Sequence, residues 1–306
     1  MISFRYHIVS LVAVLLALAS GVALGGGPLS DVGSGGDDAT QRAEERSQEL
    51  SRQLDEAGIT DSFQDEFAQS LSAGAVSGSL SNRPVVLITL PGADEQVVSS
   101  LSDLVGDAGG SVIGTYAVQP TLVSDSEKSL VDTLGSQLVE RPEGKDVSAS
   151  APTYERMGQL IGRAVATGTD AGGPADTAAK DLMSSLKGAD LLVREQGEGS
   201  RGSLVIVVLG DEPEDPEESD KIYSGLLIGL ADKSDGVVFA ASTRSGDDGL
   251  LSVLRDDVAF SANVSTADSA DTTAGRIAAV LGLAADGRGT TGHYGAFGID
   301  GAVPRG

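Results

Sequence analysis

The sequence contains no cysteine and no tryptophan, and these absences remove several classes of function. Without thiols the chain can form no disulfide, zinc ribbon or iron–sulfur cluster. Aromatic residues make up only 4% of the 306 residues, whereas hydrophobic residues make up 40%. We therefore expect a core built from Val, Leu, Ile and Ala.

Basic residues are also scarce, because 21 Lys and Arg stand against 45 Asp and Glu. The resulting net charge of −24 leaves no basic surface that could displace counterions from phosphates. The sequence therefore predicts that nucleic acid is not a partner. A high negative charge keeps a protein soluble, and solubility is the simplest interpretation of the excess of Asp and Glu.

Imidazole and thioether groups, which copper prefers, are few. The chain has two histidines, at positions 7 and 293, and three methionines, at positions 1, 157 and 183. Met157 and Met183 fall at helical spacing among apolar residues, which predicts core positions, and His293 lies in a Gly-rich tail. We find no copper-binding motif here, so metal ligands stay unknown and no cofactor is predicted.

Motifs for nucleotide binding and hydrolysis are missing too. No G-x-G-x-x-G, P-loop or G-x-S-x-G pattern occurs, and a catalytic triad would depend on His293 alone. We therefore predict that the chain is not an enzyme. Residues 211–220 contain seven carboxylates, which are compatible with a divalent-cation site or with a solvated acidic loop; the spacing does not fit a calcium loop.

The opening stretch, Met1–Leu29, is the segment suited to a bilayer. Residues 8–24 carry no charge, Arg5 precedes them, and a Gly-Gly-Gly-Pro breaker ends the run. About 17–20 apolar residues are enough to cross a membrane as a helix. We predict a transmembrane anchor at 1–29 in the cell membrane, with a cytoplasmic N-terminus and the rest extracytoplasmic. A secretory signal cleaved after Ala19 and a buried core helix are the alternatives.

A flexible linker at 30–37 precedes a charged segment at 38–72 that is rich in helix formers. Within it, a heptad-like seam has spacings of four, three, four and three residues, at Ala43, Ser47, Leu50, Leu54 and Ala57. The seam favours a membrane-proximal coiled coil that forms a homodimer or engages a partner helix. The alternative is a solvated spacer helix supported by its own opposite-charge pairs. Gly58 is expected to end this helix, and a second amphipathic turn follows it.

Residues 83–306 alternate apolar strands with amphipathic helices, one of which is predicted at Lys221–Leu230, and the Gly-rich tail at 292–298 is predicted to be a loop. The predicted strands are Pro84–Leu90, Ser111–Val118, Asp190–Val193, Ser203–Leu209, Gly236–Ala241 and Asn263–Thr266. Most of them are continuous apolar runs without alternation, which is typical of a parallel sheet covered on both faces. We therefore predict an α/β fold for the extracytoplasmic domain, a Rossmann-like, doubly wound, mostly parallel sheet.

The opening MISFRYHIVSLVAVLLALASGVALGGGPL resembles that of the actinobacterial copper transporter family, which also includes a corynebacterial cell-separation protein. The similarity extends to the charged helix, the α/β region, the Thr273-Ala-Gly-Arg276 segment and the terminal Gly292-His-Tyr-Gly295. It implies a role in copper efflux or homeostasis at the cell envelope, with copper as a possible ligand.

The same resemblance implies an alternative role in cell division. In that role the chain is a coiled-coil scaffold between a cytoplasmic partner and a peptidoglycan hydrolase. The residues favour this alternative over a channel, because one apolar helix is too little for a pore and copper ligands are few.

Overall fold

The computed structural model describes residues 36–144, 146–169 and 171–305. The chain divides into two compact units, Met1–Gln64 and Asp65–Gly306. Among the described residues, no helix has both the length and the apolar character that crossing a membrane requires. The predicted anchor at 1–29 and most of the predicted linker lie outside the described residues.

The first helix, α1, runs from Gly36 to Val76. Strong helix formers and a lack of proline favour it, and neighbouring side chains pair along it, such as Arg52 with Glu49 at 3.2 Å. The prediction that this helix ends at Gly58 is wrong. A single glycine in a helix costs about 1 kcal/mol, which 41 residues of continuous helix can absorb. The helix ends before Gly78, whose φ is +74°.

The remaining elements are strands and α-helices. The strands are β1 (Pro84–Thr89), β2 (Ser111–Val118), β3 (Leu192–Gln196), β4 (Leu204–Val208), β5 (Gly236–Ala240), β6 (Ser265–Ala267) and β7 (His293–Tyr294). The helices are α2 (Glu95–Asp107), α3 (Pro120–Val123), α4 (Lys128–Val139), α5 (Thr153–Val165), α6 (Thr177–Gly188), α7 (Pro216–Ala231), α8 (Thr243–Asp247), α9 (Leu250–Asp256), α10 (Val258–Asn263) and α11 (Thr273–Asp286). In the part of the chain that the structure describes, four of these helices lie between β2 and β3 and none lies between β3 and β4.

The strands form one sheet in the order β3-β2-β1-β4-β5-β6-β7. All neighbouring pairs are parallel except β2 and β3, which are antiparallel. The chain first extends the sheet from β1 through β2 to β3 and then returns to the other side of β1. The topological switch point therefore lies between β1 and β4, as in Rossmann folds.

Apolar layers cover both faces of the sheet. One face packs against side chains from α3–α7, α9 and α10, and the other against the end of α1, α2 and α11. The central strands β4 and β5 are buried along their whole length, which explains their uninterrupted apolar sequences. The prediction of an α/β, mostly parallel, Rossmann-like sheet is confirmed.

Two local predictions are wrong, and one predicted strand has different bounds. The strand predicted at 190–193 is β3, which runs from Leu192 to Gln196. It is antiparallel to β2, because the loop at 197–203 is too short for a crossover helix and returns the chain to the edge where β4 begins. The helix predicted from Lys221 begins at Pro216 as α7, since proline suits a first turn. The tail predicted as a loop adds β7 to the sheet.

Candidate functional site

The crevice where Rossmann folds bind nucleotides is closed in this protein. The loops after β1 and β4 meet directly, and the Asp211 amide donates to the Pro91 carbonyl at 2.9 Å. A Cβ at Gly92, whose φ is +79°, would overlap the Asp211 carboxylate, and one at Gly210 would overlap the Pro91 carbonyl oxygen. Backbone and a carboxylate thus occupy the space where phosphates would lie at a dinucleotide site.

The acidic loop after β4 has contacts within the protein. Besides Asp211 against Gly92, Glu212 accepts a hydrogen bond from the Leu250 amide at 2.9 Å, at the start of α9. Asp215 accepts from the Glu217 amide at 3.1 Å in the first turn of α7. Carboxylates at helix N-termini are electrostatically favourable, so Glu212 stabilises the start of α9 and Asp215 stabilises the first turn of α7.

A buried ionic cluster lies at the carboxyl ends of β5, β6 and β7, centred on Asp268. This side chain is fully buried and accepts hydrogen bonds from Arg255 at 2.8 Å and from the Ser269 hydroxyl at 2.8 Å. The backbone amides of Ala296 and Phe297 donate to it at 2.6 and 3.2 Å. Because a buried carboxylate needs such partners, Asp268 fixes the C-terminal tail to the sheet.

His293 belongs to the same cluster. Its Nδ1 lies 3.0 Å from the Thr266 hydroxyl, which also accepts from Arg255 at 3.0 Å. Burial and the nearby Arg255 lower the pKa of His293, while the Ser261 carbonyl and a carboxylate partly oppose this. The ring is therefore a buried, hydrogen-bonded side chain, and its neutral form is favoured.

The three candidate copper ligands are not brought together. Met157 and Met183 are 0% and 6% exposed within the apolar layer of one sheet face, as the sequence predicts, whereas His293 is in the ionic cluster. Within the described ranges, no group of three or more His, Cys, Asp or Glu is placed to hold a metal ion.

The predicted seam lies on the first unit's helix. All five of its residues are exposed, with Leu50 at 54% and Leu54 at 72% (the others are Ala43, Ser47 and Ala57). Exposed leucines on a long charged helix are compatible with pairing to another helix. The coiled coil itself stays a prediction.

The end of α1, in the second unit, is tied to the start of α11. Asp65 accepts from the Thr273 amide at 2.8 Å, and Gln69 accepts from the Thr273 hydroxyl at 3.2 Å. Arg276 donates to the same hydroxyl at 2.9 Å. Two segments that carry the family resemblance, at 273–276 and 292–295, thus anchor α1 and the tail to the sheet.

The sequence reasoning missed Asp268 and Arg255. A partial signal was available for Asp268, since it follows closely after the strand predicted at Asn263–Thr266, and ligands and polar side chains collect at the carboxyl edge of a parallel sheet. Arg255 had no such signal, because a basic residue near the end of a short helix is ordinarily solvated.

Known proteins match almost the whole chain. The sequence model of the family described as "Copper transport outer membrane protein, MctB" matches residues 1–304. The copper transporter MctB of Mycobacterium tuberculosis (strain H37Rv) is 29% identical over 313 residues, which cover 96% of each chain. The copper transporter MctB of Mycobacterium leprae is 28% identical over 316 residues, which cover 98% of this chain and 96% of the relative.

The match includes the opening stretch, the long helix and the entire α/β domain, and so agrees with the resemblance seen in the sequence. The chain therefore belongs to the MctB family of copper transport proteins.

Proposed function

We propose that this protein takes part in copper transport at the bacterial cell envelope. The observation that carries the proposal is the family match across residues 1–304, which leaves no large part of the chain to another function. The two mycobacterial relatives, both named copper transporters, are covered over 96% of their own length.

We propose a single-pass topology with a cytoplasmic N-terminus and an extracytoplasmic α/β domain. The uncharged run at 8–24 and Arg5 before it support this arrangement. The family description names an outer membrane, so membrane fractionation is a direct test. We expect the chain in the cytoplasmic-membrane fraction, with its domain degraded by external protease in spheroplasts.

The α/β domain, in this proposal, supports transport without holding the copper ion. Met157 and Met183 pack in the core and His293 is hydrogen-bonded, so none of these soft or imidazole ligands is presented to a metal. Calorimetric titration of the full chain in detergent with Cu(I) and Cu(II) tests this role. We expect no tight stoichiometric binding. The absence of an enzymatic activity stays a prediction.

We further propose that the long helix forms a homodimer through the seam of Leu50 and Leu54. Both side chains are more than half exposed, and burying a leucine yields about 1.5–3 kcal/mol. Small residues at Ala43, Ser47 and Ala57 allow the two helices to approach closely.

The test is copper tolerance of a deletion strain carrying variant genes. The double substitution Leu50→Asp with Leu54→Asp places like charges across a dimer seam, so we expect lost self-association and reduced growth at high copper. The matched control, Gln48→Asp with Ser62→Asp, adds the same two charges on a side of the helix that faces away from the seam and should behave as wild type. Equal tolerance of the two variants would refute a role for the seam in transport.

The exposed seam also fits a second role, the scaffold for a peptidoglycan hydrolase and a cytoplasmic division partner. In that role the Leu50→Asp, Leu54→Asp variant loses hydrolase binding and cells separate late, while copper tolerance stays normal. Measuring cell separation and copper tolerance in the same strains distinguishes the two roles.

A further inference from the structure

A groove of about 780 Å³ lies beside the closed crevice, at the carboxyl ends of β1 and β2. Its floor is the sheet face formed by Thr89, Thr115 and Ala117, and its walls are α2 and the end of β3. The groove exists because the helices between β2 and β3 contribute their apolar side chains to the opposite face. The floor at this edge of the sheet therefore stays open.

The charge of this groove is of one sign. Glu95 and Asp103 of α2 and Glu195 of β3 line it, and no Lys, Arg or His does. Within the described part of the chain these three carboxylates make no ion pair. By contrast, Asp132 and Asp268 are each within 2.8 Å of an arginine nitrogen.

The acidity of the whole chain does not explain why the described residues that line this groove include no Lys, Arg or His. Two smaller grooves of the same domain, of about 450 and 370 Å³, contain basic residues: Arg163, Arg201 and Lys233 in one, and Lys180, Lys187 and Arg194 in the other. The larger groove thus differs from its neighbours in lacking cations, and negative charge concentrated in a concave surface attracts positive ligands.

A threonine that is nearly buried in the floor points to a ligand independently of the charge. Thr115 is 4% exposed, lines the groove, and makes no side-chain hydrogen bond with the described residues. Thr89 beside it has only a long contact of 3.5 Å, from its hydroxyl to the Tyr116 carbonyl. Because the polar side chains of buried residues are normally hydrogen-bonded, the Thr115 hydroxyl is available to a ligand that enters the groove.

The spacing of the carboxylates decides the shape of that ligand. Glu95 and Asp103 are eight residues apart on one helix, which corresponds to about 12 Å along its axis. Among the described residues no three such groups converge on a point where a metal ion could sit. The groove therefore suits an elongated ligand whose positive charges are separated.

We propose that this groove binds an elongated organic polycation, in which ammonium groups are separated by short apolar segments. A free polyamine and a peptide segment with two lysines both present this chemistry. The ammonium groups pair with the carboxylates of α2 and β3, the apolar segments lie over Leu87 and Ala117, and the threonine hydroxyls accept from the ligand.

The experiment is a methyl NMR titration of the full-length chain in non-ionic detergent. Spermidine is one probe, and the acetylated, amidated peptide Lys-Gly-Lys is the other, so that the two sources are distinguished. Diacetylated spermidine, which keeps the length but loses two charges, is the ligand control. We expect shifts of the Leu87, Val98 and Ala117 methyl groups with spermidine or the peptide, and much smaller shifts with the acetylated form.

The variant Asp103→Asn with Glu195→Gln should weaken binding of the better probe at least about five-fold, since two charge pairs are lost. Its control, Asp107→Asn with Glu198→Gln, removes the same charge outside the groove and should bind as wild type. Thr115→Val gives a second measure and should also weaken binding. The proposal is overturned by shifts spread over the whole surface, by equal binding of acetylated spermidine, or by equal effects of the two charge variants.

Discussion

Replacing Asp268 by Asn removes one charge from the buried cluster while keeping the side-chain volume. Arg255, whose side chain is 7% exposed, would then be buried without its counterion. Breaking a buried ion pair from one side costs about 3–5 kcal/mol. Domain stabilities are about 5–15 kcal/mol, so this single change should remove a large fraction of the total.

The assay is thermal and denaturant unfolding of the full-length chain, with hydrogen exchange of the tail amides. At about 2–4 °C per kcal/mol for a domain of this size, we expect Tm to fall by roughly 6–20 °C. The amides of Ala296 and Phe297, which donate to Asp268, should exchange faster than in the wild type. Both effects follow from the loss of one carboxylate.

The matched control is Asp247→Asn, which neutralises an exposed carboxylate on α8. Its unfolding free energy should change by less than about 0.5 kcal/mol, as is usual for surface substitutions. If Asp268→Asn is as mild as this control, the cluster does not hold the tail and the reasoning fails.

Three further predictions concern the same domain. Gly275→Ala should cost at least about 1–3 kcal/mol in unfolding free energy, because the new Cβ would overlap the Ser269 carbonyl oxygen. The pKa of His293 is lowered in the folded chain, so the unfolded chain binds this proton at a higher pH. The free energy of unfolding should therefore decrease as the pH drops below about 6.5, and this decrease should be smaller in His293→Gln. Asp65→Ala should cost about 0.5–2 kcal/mol, because the Thr273 amide at the start of α11 loses its acceptor.

Each of these has its own check. Gly282→Ala, with 3.1 Å between a new Cβ and the Tyr294 ring, should be milder than Gly275→Ala, and the reverse order would contradict the steric argument. An unchanged pH slope in His293→Gln would mean that another group titrates. Glu66→Ala, an exposed neighbour of Asp65, should leave unfolding unchanged.

The central strands could be predicted from the sequence because burial on both faces leaves a direct mark. Leu204–Val208 is an uninterrupted apolar run in a stretch of strand length, and the structure buries all of it. The direction of β3 was not predicted, since it depends on a loop at 197–203 whose length limits the connection. Direction is a property of the connection, and the apolar pattern carries no information about it.

The ionic cluster could not be predicted, because its members are far apart in the sequence. Arg255, Asp268 and the amide of Phe297 come together only when β6 and the tail are in place. The groove was missed for a related reason: Glu95 and Asp103 are ordinary surface residues of a helix until β3 places Glu195 across from them. Local patterns predict elements, whereas sites of this kind depend on topology.

The most direct test of the proposed function is the total copper content of cells that lack this protein, measured by mass spectrometry after growth at a fixed external copper concentration. A role in copper transport out of the cell predicts more copper per cell in the deletion strain and a return to the wild-type content when the gene is restored. An unchanged copper content, over the range of copper that the cells tolerate, would contradict it.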